Sequence, residues 1–339
     1  MEDSNKSSVS KIITIGDIAN ALGLSKTTVS RAMSGKGRIS IATKKKVEDY
    51  VREHNFKPNV IAKGLAQSKT FNIGAILPAD ANLAEIPFFQ SCLMGICEEA
   101  ATIDYDVVVT TVKEDDITLL KRLISNQKVD GVILTRALVN DEPAKFLKEA
   151  SIPFVVIGQS EDNEIIQIDS NHVTACKELT SLLLMSGNKK IALLAGNQNH
   201  IVNRNRYEGF LKAHKEANEM VDERLIFLDM NNKAVIDHAV NKIMDSQVDC
   251  IVCSDDFICL RVLAKLEENN YIIPEHIKVA SFYNSVHLEN YNPPITSLNI
   301  NVKDLGIAAV RKLNEIFLGN EAIPKTWVNY EITLRKSTK

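Results

Sequence analysis

Aromatic residues make up only 6% of this 339-residue sequence, with a single Trp. No apolar run approaches the roughly 20 residues that a membrane helix needs. The opening MEDSNKSSVSK is polar and lacks the apolar core of a secretory signal. Six cysteines sit in apolar surroundings without the spacing of a disulfide framework, so a reduced, cytoplasmic setting is expected. There is no Walker A motif and no G-x-G-x-x-G. The seven histidines form no H-E-x-x-H or Cys/His grouping with ligand spacing. Cys250-x-x-Cys253 falls inside a strand pattern, where its side chains do not simply converge. These absences argue against membrane insertion, against a metal or cofactor, and against an enzyme. No simple repeat or low-complexity tract is visible.

What is present is an uneven distribution of charge. The net charge of -3 hides a basic head: residues 1–70 carry 13 Lys+Arg against 6 Asp+Glu, and residues 71–339 carry 27 against 37. A basic module on an acidic body fits a polyanion-binding head tethered to a domain that binds something else.

The head reads as three helices. Thr14 is placed as an N-cap with Asp17 as its partner three residues on, and Ile15, Ile18, Ala19 and Leu22 form one apolar face. Gly23 supplies the positive φ of a tight interhelix turn. Ser25 caps a second helix whose Val29, Thr28, Ala32 and Met33 turn inward, leaving Lys26, Thr27, Ser30 and Arg31 outward. Ser40 opens a third helix that closes the core with Val47, Tyr50 and Val51. This is a helix-turn-helix with a recognition helix for the major groove, where Arg can bond bidentately to guanine. After Pro58, Asn59 can cap a very short helix over 60–66. Helices below about 12 residues are marginal alone, and Gly64 weakens this one further, so it is expected to form only with support.

From Phe71 onward strands and amphipathic helices alternate, the rhythm of parallel α/β sheets. Strands are expected at 73–77, 107–111, 132–135, 154–157, 165–168, 191–194, 225–228, 250–253, 279–282, 297–300 and 327–332. That number favours two doubly wound lobes, with ligand outside the carboxyl ends of the strands.

The chain resembles the lactose-repressor (LacI/GalR) family of bacterial transcription regulators. The likeness is carried by Thr14-Ile15-Gly16-Asp17-Ile18-Ala19, Val29-Ser30-Arg31, Lys57-Pro58-Asn59 and Ile61-Ala62-Lys63-Gly64-Leu65-Ala66, then by Arg206-Tyr207-Glu208-Gly209-Phe210 and Ser254-Asp255-Asp256. It implies an all-α helix-turn-helix DNA-binding head on an α/β, periplasmic-binding-protein-like effector domain of two doubly wound lobes. The domains are then 1–58, a hinge helix and linker at 59–69, and 70–339. The first lobe is expected at about 70–160 plus 292–320, the second at about 161–291 plus 321–334.

The resemblance further implies a homodimer on a near-palindromic operator, controlled by a small molecule, a sugar or sugar derivative. Lys26, Thr27 and Arg31 would touch bases, with Thr14, Ser25, Thr28 and Ser30 beside them. Asn59, Ala62, Lys63 and Leu65 would serve the hinge, Leu65 wedging the minor groove. In the cleft, Arg206 matches the family's gripping arginine, and Asp255 and Asp256 its acidic site. Phe88 and Phe89 offer rings for stacking, and Thr135 and Arg136 close the third strand. Three departures weaken a standard hexose. Ala79 to Ile86 lengthens a loop, Tyr283 stands where an Asp is common, and Met230 where an aromatic is common. A regulator whose lobes answer to a partner protein or a non-sugar metabolite is the alternative.

Overall fold

The computed structural model describes residues 13–35, 37–54, 56, 64, 65, 67–80 and 87–339. The chain forms two compact units, Met1–Thr70 and Phe71–Lys339.

In the first unit, α1 (Ile15–Leu22), α2 (Lys26–Ser34) and α3 (Ile41–Glu53) surround Ile18, Ala19, Val29, Ala32, Val47 and Phe56. Each helix start has its own hydrogen-bonded cap. Thr14 and Asp17 form a reciprocal capping box, with Thr14 N donating to Asp17 Oδ2 at 2.8 Å and Asp17 N to Thr14 Oγ1 at 3.3 Å. Ser25 Oγ accepts from Thr28 N, and Ser40 Oγ from Thr43 N, both at 3.1 Å. Gly23 adopts φ +64°, which turns α1 into α2.

The second unit has two six-stranded sheets. Lobe 1 has the order β11-β5-β4-β3-β1-β2, all parallel: β1 (Asn72–Pro78), β2 (Asp106–Val112), β3 (Gly131–Leu134), β4 (Phe154–Ile157), β5 (Gln167–Asp169) and β11 (Lys325–Trp327). Lobe 2 has the order β12-β10-β9-β8-β6-β7: β6 (Ile191–Leu194), β7 (Ile226–Phe227), β8 (Cys250–Cys253), β9 (Lys278–Ser281), β10 (Thr296–Ile300) and β12 (Tyr330–Thr333), parallel except for the β10–β12 pair. The central strands are apolar along their whole length, as strands covered on both faces must be. The covering helices are α4 (Pro87–Thr102), α5 (Thr118–Ser125), α6 (Glu142–Glu149) and α12 (Val302–Phe317) in lobe 1. In lobe 2 they are α7 (His172–Met185), α8 (Ile201–Glu216), α9 (Lys233–Met244), α10 (Asp256–Glu268) and the short α11 (Val286–Glu289).

The lobe limits differ from the sequence expectation at three points. β5 belongs to lobe 1, although 161 onward was expected in lobe 2. β10 belongs to lobe 2, although 292–320 was expected in lobe 1. The single strand expected at 327–332 is two strands, β11 in lobe 1 and β12 in lobe 2, parted at Val328. Which sheet a short strand joins depends on the neighbour it bonds, and pattern along the chain does not encode that neighbour. The chain thus crosses between lobes after Asp169, after Ile300 and after Trp327.

α4 and α12 meet backbone to backbone through reciprocal glycines. A methyl group at Gly95 would lie 2.1 Å from the Lys303 carbonyl oxygen, and one at Gly306 would lie 2.3 Å from that of Cys92. Gly306→Ala should therefore force the helices apart and destabilise lobe 1 by about 1–3 kcal/mol, the usual cost of overpacking. Chemical denaturation of the two proteins measures this, and an unchanged midpoint would refute the close-packing reading.

Candidate nucleic-acid interface and interlobe cleft

On the head, the residues expected to meet DNA share one exposed surface of α2. Lys26, Thr27, Ser30 and Arg31 are exposed, while Val29 and Ala32 point into the core. The side chains of Thr14, Ser25 and Thr28 are engaged in caps, including a 2.8 Å contact between Ser25 Oγ and Thr28 Oγ1. Their local role is therefore to fix the helix starts. Asn59, Ala62 and Lys63 lie outside the described residues, as do positions 81–86 of the lengthened loop. Gly64, Leu65 and Gln67 are helical, Lys69 N donates to Gly64 O at 3.0 Å, and the Leu65 side chain is 85% exposed. An apolar side chain held out on a helical turn has its burial still to gain.

In the second unit the polar chemistry gathers just beyond the carboxyl ends of the strands. Arg206, in the second turn of α8, is buried. Its Nη1 donates to Asn203 Oδ1 at 3.4 Å, and its Nε has no partner among the described residues. Asp255 and Asp256 follow β8 and divide two roles. Asp255 caps α10, accepting from Ile258 N at 2.9 Å, which leaves the Asp256 carboxyl free of capping duty. Burial first, and the Asp255 charge second, push the Asp256 carboxyl up to about 6, with nearby backbone amides acting in the opposite direction.

Tyr283, after β9, is buried, and its phenol is pushed up by burial and by the Asp256 charge, while Arg206 opposes the shift. It also packs into the apolar cluster of lobe 1, with its ring 6.2 Å from that of Phe88 in an edge-on arrangement. Phe89 is buried in α4 beside Phe88. Tyr283 thus bridges the lobes at a place where a carboxylate was the family expectation. It also lines a groove of about 490 Å³ with Pro87 and Ser91 of α4 and residues 284–287 of lobe 2. Neither Arg206 nor Asp256 lines that groove.

Three expected ligand residues are already engaged by the protein. Thr135 Oγ1 donates to the Ile76 carbonyl at 2.7 Å. Met230 packs in the core of lobe 2. Arg136 Nη1 donates to Asp80 Oδ1 at 2.7 Å and lies 3.9 Å from Glu114 Oε1, while its Nη2 is buried without a partner among the described residues.

Sequence reasoning missed a polar network around Glu114 of lobe 1. Its carboxylate accepts from Asn197 Nδ2 at 3.2 Å and Asn199 Nδ2 at 2.6 Å, and bonds His200 Nε2 at 2.8 Å, all from the loop after β6 in lobe 2. Burial raises the Glu114 carboxyl, but the hydrogen bonds from Asn199 and His200 outweigh it and hold it below the ordinary range. Burial lowers His200, with Glu114 pulling the other way. The available signal was the run Asn197-Gln198-Asn199-His200 directly after a buried strand.

Also missed were Asn205, Ser285, Asp169 and His172. Asn205 Nδ2, Ser285 Oγ, Asp169 Oδ2 and His172 Nδ1 are buried without a hydrogen-bond partner among the described residues. Each such group costs about 1–3 kcal/mol when left unpaired; Asp169 and His172 meet through their other atoms, His172 Nε2 lying 3.3 Å from Asp169 Oδ1. Among the described residues no cluster of three or more His, Cys, Asp or Glu is arranged for a metal, and no helix is long and apolar enough to cross a membrane.

A helix-turn-helix head joined to a two-lobed, periplasmic-binding-protein-like domain defines a class of ligand-responsive DNA-binding regulators. Residues 14–59 match the lacI family of bacterial regulatory proteins, and residues 70–329 match the periplasmic binding proteins and sugar binding domain of the LacI family. The chain belongs to the LacI family and is a DNA-binding transcription regulator with an effector domain of the family's sugar-binding type. It is 28% identical to the HTH-type transcriptional regulator MalR of Streptococcus pneumoniae over 91% of this chain and 94% of that protein. It is 25% identical to catabolite control protein A of Staphylococcus aureus over 96% of this chain and 99% of that one. The fold is similar to that of the lac repressor dimer bound to operator and the anti-inducer ONPF, with a TM-score of 0.80, 22% identity, and 97% and 99% of the two chains covered.

The carboxyl of Asp256 lies near 6 in the folded chain, above the roughly 3.9 of an unfolded Asp, so the native state prefers it protonated. That preference stabilises the fold at acid pH and is lost as pH rises through 6. Asp256→Asn should then melt a few degrees above the parent at pH 8, and the gap should close toward pH 4. A gap that is constant across pH would remove the charge burial inferred for Asp256.

Proposed function

We propose that the protein is a cytoplasmic, non-enzymatic repressor that binds a near-palindromic operator as a homodimer and is controlled by a sugar or sugar derivative between its lobes. The observation that carries this reading is the buried, under-bonded Arg206 beside Asp256 and Tyr283 at the carboxyl ends of strands. A guanidinium fork suits vicinal hydroxyls, a buried carboxyl can accept from or donate to them, and the Phe88 and Tyr283 rings offer apolar faces. In this reading Arg206, Asp256, Tyr283, Phe88 and Phe89 contact the effector, while Asp255, Thr135, Arg136 and Met230 build the walls around it. The relatives point the same way: one solved neighbour is a CelR–cellobiose complex, and the lac repressor structure holds ONPF with operator.

On DNA, Lys26, Thr27, Ser30 and Arg31 read the major groove, and Leu65 wedges the minor groove from a hinge that includes Asn59, Ala62 and Lys63. The homodimer is supported by the free edge of lobe 1, where Val109 of β2 and Met94 of α4 expose apolar side chains. Control is linkage: an effector that prefers one lobe arrangement shifts operator affinity by no more than its differential affinity for the two. Control by a partner protein is favoured by one observation, the exposed Trp327 and Ile323 at the opposite edge of lobe 1.

Operator affinity of the full-length protein, measured against a panel of sugars, sugar phosphates and nucleosides, tests the whole reading. Arg31→Ala should weaken specific binding by about 1–3 kcal/mol and relax base choice, and unchanged binding would sink the recognition-helix assignment. Arg206→Ala should abolish the response to any active metabolite and leave operator binding intact. A surviving response would move the site elsewhere.

A further inference from the structure

We infer that Glu114 is a positioning residue that latches the two lobes together and, through two amide side chains, orients Arg206; this rests on Arg206 being the effector-gripping residue. Glu114 stands after β2 in lobe 1, and all three of its donor partners come from one loop of lobe 2. A carboxylate has about four lone-pair positions, so three donors nearly fill it, and charge-assisted bonds are the stronger kind.

The backbone closes around the same point. Leu138 and His200 form an antiparallel bridge, Val139 N donates to Asn199 O at 2.9 Å, and Ile201 N donates to Ala137 O at 3.3 Å. The first residue of α8 is therefore hydrogen-bonded to lobe 1. Arg136, held by Asp80, adds a positive charge 3.9 Å from Glu114, so lobe 1 presents a prearranged ion pair to the incoming loop.

The link to the cleft is a continuous hydrogen-bond relay. Asn197 donates its side-chain amide to Glu114, and its own carbonyl accepts from Asn203 Nδ2 at 2.9 Å. Asn203 Oδ1 in turn accepts from Arg206 Nη1 at 3.4 Å. Asn203 is buried and uses both ends of its amide in this relay, which fixes the amide's orientation. The Asn197 carbonyl also accepts from His200 N at 3.2 Å, and Asn197 Oδ1 from Asn199 N at 2.8 Å, so the turn that holds Asn203 against Arg206 is the same turn whose side chains Glu114 grips. Lobe contact at Glu114 and arginine placement therefore share one short turn, and the protein carries part of the closing interaction within its own sequence.

Hydrogen–deuterium exchange on the full-length protein, without DNA or added metabolite, tests the latch. In Glu114→Gln, two amide hydrogens of Asn197 and Asn199 lose their charged acceptor, and the new side-chain NH2 opposes them. The expected result is at least tenfold faster exchange in the segments that contain the Val139 and Ile201 amides, with β1 and β6 unchanged. Asn199→Ala should do the same, and the double variant should add little to either. Unchanged exchange at Val139 and Ile201 would overturn the latch. Faster exchange throughout both sheets in both variants would overturn it too, making Glu114 a general stability residue. The relay predicts in addition that Asn203→Ala weakens the response to a metabolite active in the operator assay by tenfold or more without changing exchange at Val139. An unaltered response would cut Arg206 from the relay. Because the exchange measurement needs neither operator nor ligand, its failure is separate from failure of the repressor reading.

Discussion

Parallel pairing is the constraint on which the effector domain depends. A parallel sheet puts the carboxyl ends of all its strands on one edge, so every loop that follows a strand lands there. Two such sheets joined by three crossings bring two of these edges together. Asp80, Glu114 and Arg136 arrive from lobe 1, and Asn197, His200, Asp256 and Tyr283 from lobe 2, although they are scattered over two hundred positions of the chain. The interiors of the sheets are apolar, so polar side chains gather where the strands stop. The cost of leaving Arg206, Asn205 and Ser285 without full partners is borne by the packing of the lobes behind them.

The interlobe contacts fall into two kinds. Tyr283 against the lobe 1 cluster is an apolar contact, and its strength scales with buried area. The Glu114 network is polar and directional, so it specifies one closed geometry rather than merely favouring closure. Together they give the lobes both an apolar contact and a directional polar one. The head follows a different economy. Its three helices are short, and each has a hydrogen-bonded cap and a share of one small core, which gives a rigid reading surface with its basic residues outward.

Local features were legible in the amino-acid order. Capping pairs such as Thr14 and Asp17 lie within four residues of one another, so spacing reveals them. Buried strands such as Ile191–Leu194 and Cys250–Cys253 announce themselves as apolar runs, and the expected strand positions agree with the observed elements over most of the domain. Arg206 and Asp256 were singled out through the family likeness, and the structure shows both buried. The split of the final strand, the assignment of β5 and β10 to lobes, and the engagement of Thr135, Arg136 and Met230 were not found, because each depends on a neighbour distant in the chain.

Sequence by itself determined the helix-turn-helix, the alternation of strands and helices, the charge division between head and body, and the family. These follow from periodicity, capping chemistry and composition, which act over a few residues. Only the tertiary structure decided which polar residues face each other across the cleft, which are already satisfied by the protein, and which remain under-bonded. Glu114 shows the difference. Its neighbours in sequence are ordinary loop residues, and its chemistry comes from three donors more than eighty positions away, brought to it by the crossing of the chain between two sheets.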